Sequence, residues 1–138
     1  MTAERITFPD AESLFVSYLR AELPSLGEAC LVATNVPEAR PDRMVKVSRT
    51  GGTQRWMIRD EPMMTFECWA LDDVGAATLC GLVRSVVSAM PREDTVLGVP
   101  IYSYTEVAGP TFFPDPDTRL PRYQLTAMFD LRGKSLNR

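Results

Sequence analysis

The chain has 138 residues, 45% hydrophobic and 24% charged, with a formal net charge of −3. That balance is ordinary for one soluble globular domain with a modest core, and a negative chain argues against a free DNA binder. It has no histidine, which removes the commonest general base and the commonest transition-metal ligand.

The first ten residues, MTAERITFPD, lack the basic and apolar regions of a secretory signal. Asp10 then stands where a helix N-cap belongs. Ala11, Leu14, Phe15, Tyr18 and Leu19 follow at helical spacing and make one apolar face. The spacing predicts a helix over Asp10–Leu23, stopped by Pro24. Ala29 to Val36 is rich in small and β-branched residues and predicts a strand. Pro37 to Pro41 makes a stiff loop.

Met44 to Ser48 alternates, as do Trp56 to Arg59 and Met63 to Ala70. Between the first two lies Thr50-Gly51-Gly52-Thr53, expected as the tip of a projecting hairpin. Met64, Phe66 and Cys68 are expected to face the core, with Thr65, Glu67 and Trp69 on the other side. Asp72 or Asp73 caps a second helix, Asp73 to Met90, whose Leu79, Leu82, Val83, Val86 and Met90 repeat at helical spacing. No apolar run approaches the ~20 residues that cross a bilayer.

Pro91 to Gly98 is a polar link, and Ile101 to Val107 a strand. Ala108 to Arg122 holds four prolines and is expected as one long loop. Tyr123 to Leu131 alternates cleanly, and residues 133–138 form a loose basic tail. Met64, Phe66, Leu14, Tyr18, Leu79, Val83, Leu125 and Phe129 are the expected core. The fold class is α+β: a mainly antiparallel or mixed sheet, two helices packed on one face and a projecting hairpin, in a single domain over 1–138.

Charge is unevenly placed. Arg40, Arg43, Lys46, Arg49, Arg55 and Arg59 oppose only Asp42 across residues 40–59, a net of +5, so the remainder carries −8 in a chain of −3. A nucleic-acid surface would interleave aromatics there, and Trp56 is the only one. A solvated hairpin and a protein contact both remain open.

Chemical motifs are thin. Asp72-Asp73 is better explained as a cap than as an acid pair. Asp115 and Asp117 alternate with proline like a rigid turn and lack the ligand ladder of a calcium loop. Thr50–Thr53 has no following helix or Lys-Ser/Thr, so it is no phosphate cradle. Cys30, Cys68 and Cys80 are expected as reduced thiols. No catalytic residue, metal or cofactor is expected.

A series of short segments in order carries a family resemblance. They are Phe8-Pro9-Asp10-Ala11-Glu12, Tyr18-Leu19-Arg20, Leu23-Pro24, Arg40-Pro41-Asp42-Arg43 and Val47-Ser48-Arg49-Thr50-Gly51-Gly52. Asp60-Glu61-Pro62, Glu67-Cys68-Trp69-Ala70, Leu82-Val83-Arg84, Gly109-Pro110, Pro114-Asp115-Pro116-Asp117 and Pro121-Arg122-Tyr123 complete it. Together they resemble the tail terminator proteins of long-tailed bacteriophages, in particular those of actinobacteriophages.

The resemblance implies an α+β subunit of a homo-hexameric ring at the head-proximal end of the virion tail, assembled in the host cytoplasm. The ring ends polymerisation of the tail tube protein and docks the head–tail connector protein. DNA passes through it without sequence-specific binding, and no membrane is involved. The expected interface residues are Arg43, Lys46, Arg49, Thr50, Gly51, Gly52, Arg55 and Arg59 of the hairpin, and Phe113, Asp115 and Asp117 of the loop. The competing readings are another neck or connector protein and a small-molecule enzyme.

Overall fold

The computed structural model describes residues 2–137. Its elements run β1 (Ile6–Thr7), α1 (Ala11–Ser25), β2 (Leu31–Ala33), β3 (Met44–Trp56) and β4 (Arg59–Trp69). Then come α2 (Asp73–Ala89), a short 3-10 turn, β5 (Ile101–Phe112), β6 (Arg122–Arg132) and β7 (Lys134–Ser135). Five strands form one sheet in the order β2-β3-β4-β6-β5, antiparallel except for the parallel β2–β3 pair. The α+β class and the mixed sheet expected from the sequence are both present.

Each helix starts where its cap directs. The Asp10 carboxylate accepts from the Ser13 N–H at 3.2 Å, and that of Asp72 from the Gly75 N–H at 2.6 Å. Pro24 does not end α1, which continues to Ser25. In the last turn a proline costs one hydrogen bond and keeps a helical φ. The stop is Gly27, at φ +81°, with Gly27 N–H on the Pro24 carbonyl and Glu28 N–H on that of Leu23.

Strand alternation selects the covered face. Val45, Val47, Met64, Phe66, Leu125, Ala127 and Phe129 join Phe15, Leu19, Leu79 and Val83 in one buried cluster. Phe15 is its centre, edge-on to Phe129 at 4.6 Å and stacked with Phe66 at 6.0 Å. Burying a side chain of that size stabilises by roughly 1.5–3 kcal/mol. Tyr18, expected in the core, is only partly buried and packs against the cluster's margin.

Among the described residues no helix covers the opposite face. It presents Lys46, Glu67 and Gln124 in one register row, and Thr65 and Thr126 in another. Thr50, Thr65 and Thr126 link their hydroxyls across three strands at 2.9 and 3.2 Å. Trp69 lies on this side yet is 2% exposed, because the loop between β5 and β6 folds over it.

Three further boundaries differ from expectation. The strand expected over Ala29–Val36 shrinks to Leu31–Ala33. The loop expected from Ala108 starts only after Phe112, since β5 runs on through Pro110. An edge strand has a free side for a residue without N–H, and a register shift between Ala108 and Thr111 absorbs it. The tail expected to be loose pairs instead: Lys134–Ser135 lies antiparallel to Ile6–Thr7, with Leu136 N–H on the Arg5 carbonyl at 2.7 Å. The last tail residue, Arg138, is outside the described residues.

Candidate functional site

The basic stretch turns out to be a set of counter-ions. Arg43 grips Glu28 with two bonds of 2.8 and 2.6 Å, and Arg49 grips Asp60 at 2.8 and 3.0 Å. Arg59 grips Asp130 twice at 2.7 Å while lying 3.9 Å over the Tyr102 ring, and Arg40 reaches Asp115 at 3.0 Å. All four carboxylates belong to buried residues. A buried carboxylate is costly unless paired, and the forked guanidinium pairs it best. Hydrogen bonds to Glu28, Asp60 and Asp130 hold Arg43, Arg49 and Arg59 above the ordinary arginine pKa.

The +5 stretch is therefore no free positive patch. Arg43, Arg49 and Arg59, expected at an interface, remain part-exposed but have their guanidiniums paired with carboxylates of the same subunit. Arg55 pairs with Glu61 at 2.8 Å in a more exposed setting. Among the described residues no ion pair engages Lys46.

The expected hairpin tip is displaced. Thr50–Thr53 lies within β3, and the chain turns at Met57 and Ile58. The two glycines mark a register shift between Arg49 and Gly51. Gly52 has φ +89°, and a Cβ there would collide with the Glu61 carbonyl. Pairing then resumes through Gln54 and Asp60, and β6 accompanies β4 as far as Arg59↔Arg132. The exposed turn residues are Trp56 and Met57, 68% and 65% exposed. The sequence signal was present: two bulky apolar residues inside a polar, basic stretch.

At the other end of the sheet, the loop after β5 is organised by Asp115. Its carboxylate accepts from the backbone N–H groups of Asp117 and Thr118, from Trp69 Nε1 and from Arg40. Burial pushes the Asp115 carboxyl up, but these donors outweigh it and bring it down to about 2. Asp115, expected as an interface residue, is thus an internal pin. Phe113 and Asp117, expected with it, stay exposed.

A cleft of about 600 Å³ opens near the hairpin turn, lined by Phe8, Pro9, Leu97, Val99, Arg132 and Lys134 among others. Nothing in the sequence singled it out. The Leu97-Gly98 pair inside the polar link of Pro91 to Gly98 is its one visible sign.

The cysteines form no disulfide, and a hydrogen bond from Cys68 lowers the Cys80 thiol. All three are free, and burial pushes Cys30 up to about 11 and raises Cys68. Among the described residues no three His, Cys, Asp or Glu side chains gather as a metal site would require. No described buried side-chain polar atom is left without a partner. The described buried polar side chains are taken up by ion pairs, the Asp115 loop pin and the threonine ladder through Thr65.

Comparison with known families places the chain. Residues 7–135 match the model of the phage tail termination protein family. The chain belongs to that family, and it is a structural protein of bacteriophage tail assembly. No curated protein sequence matches it significantly.

Proposed function

We propose that this protein closes the growing tail tube as a homo-hexameric ring. The ring stops addition of tail tube protein and presents the surface on which the head–tail connector docks, at the head-proximal end of the virion tail. DNA passes through it without sequence-specific contacts. The subunit is not an enzyme. The observation that carries the reading is the family match over nearly the whole chain.

The physical character of the subunit supports it. A closed head-to-tail ring needs two different patches on each subunit. Exposed or part-exposed residues stand toward both ends of the sheet: Lys46, Thr50, Gly52 and Arg55 along β3, Phe113 and Asp117 beyond β5. These retain the interface role in the proposal. The guanidiniums of Arg43, Arg49 and Arg59, and Asp115, leave it.

The test is tail length. Tubes grown without the protein should overrun, and adding it should cap them at one length with sixfold rings at the ends. Tubes that elongate equally in its presence would overturn the function, and caps of another symmetry would overturn the hexamer.

A further inference from the structure

The 600 Å³ cleft and the Asp115 loop lie at opposite ends of one strand pair. β6 leaves the loop at Arg122 and reaches the cleft at Arg132. Eleven residues at about 3.3 Å each separate them by roughly 35 Å. Their chemistry is complementary. The cleft has apolar walls in Phe8, Pro9, Val99 and Leu97, and two cations, Arg132 and Lys134. Among the described residues neither cation has a carboxylate in ion-pair reach. The Arg132 side chain reaches only the Tyr102 hydroxyl among them, at 3.5 Å, so both positive charges stand uncompensated beside the apolar walls.

The loop offers the reverse. Phe113 is 51% exposed, and Asp117 is exposed with no described ion pair on its carboxylate. The loop is already shaped. Asp115 fixes it through Asp117 N–H, Thr118 N–H and Trp69, and Asp115 N–H bonds the Leu120 carbonyl at 3.0 Å. A pre-formed projection loses little entropy on docking.

The cleft wall is also held under strain. Leu97 and Gly98 form a tight turn with φ of 50° and 85°, closed by two Val96–Val99 backbone bonds. Left-handed φ disfavours leucine, whose Cβ crowds the following carbonyl oxygen. It holds an apolar side chain, 58% exposed, at the cleft. Such strain gathers where a surface has work to do.

We infer that the Phe113–Asp117 loop of one subunit seats in the Phe8–Leu97–Lys134 cleft of a second copy. Phe113 enters the apolar walls, and Asp117 meets Lys134 and Arg132. Plug and socket sit at opposite poles of each subunit, so the contact is head-to-tail and repeats from copy to copy. This rests on the ring proposed above and names its joint.

The test is a charge swap. Asp117→Lys and Lys134→Asp are made singly and together, and ring assembly is followed by sedimentation, or by capped tubes where rings form only on tubes. Each single variant should raise the concentration for half-assembly about tenfold or more, since like charges at a contact repel. The double variant should recover to within about threefold. Phe113→Ser should weaken assembly without lowering Tm. Loss in the singles without recovery in the double, or wild-type assembly by all the variants, overturns the joint. Failure of the wild type itself to cap tubes overturns the ring function instead.

Discussion

Arg49 reaches diagonally along the β3–β4 pair to Asp60, two parallel bonds joining a surface guanidinium to a carboxylate whose residue is 4% exposed. The Arg49 backbone N–H is itself taken by Glu12 at 2.8 Å, which ties the same point to α1. Arg49→Glu should therefore cost about 2–4 kcal/mol, because it leaves a buried carboxylate facing a second one. Chemical denaturation measures this directly. A loss under about 0.5 kcal/mol would show the pair to be ornamental.

Arg55 is the contrasting case. Its bond to Glu61 joins side chains 58% and 24% exposed. Arg55→Glu should change stability by no more than about 1 kcal/mol. The two substitutions, read side by side, separate an internal counter-ion from a surface one.

The Asp115 carboxyl gives an acid-side prediction. Its native pKa of about 2 lies below the ordinary 3.8. The unfolded chain takes up the proton first as pH falls. The contribution is whole above about pH 4 and is lost as pH falls through about 2. Tm measured from pH 5 to 2 should fall more steeply in the wild type than in Asp115→Asn. Equal slopes would remove Asp115 as the pin of the loop.

Two glycines should respond with opposite signs. Gly52→Ala meets a left-handed φ and the Glu61 carbonyl, and should destabilise by more than about 1 kcal/mol. Gly81 is an exposed position inside α2 with open space where a Cβ would go. Gly81→Ala should stabilise by about 0.5–1 kcal/mol. Thermal melts of the pair decide both.

Periodicity made much of the fold legible. The caps at Asp10 and Asp72 and the buried faces of Leu14, Leu79, Val83, Phe66 and Phe129 all follow from local pattern. What escaped was non-local. Gly51-Gly52 looks like a turn unless Gln54 is known to pair with Asp60. Arginines gathered in sequence look like a patch unless Glu28, Asp60, Asp115 and Asp130 are known to converge on them. Those acids lie 11 to 75 residues away along the chain. The cleft joins Phe8, Leu97 and Lys134, which no local window contains.

The pairing of β1 with β7 has one more consequence. It consists of two residue pairs, Ile6↔Ser135 and Thr7↔Lys134, joining segments well over a hundred residues apart. The ladder is short and lies at the two chain ends, so this clasp opens at a smaller free energy than the central sheet. Thr7, Phe8, Gly133 and Lys134 also line the cleft. Opening of the clasp should widen the cleft, and an occupant that fills the cleft should hold the clasp shut. Amide hydrogen exchange at Leu136, fast in the free subunit and slowed on assembly, would record that coupling.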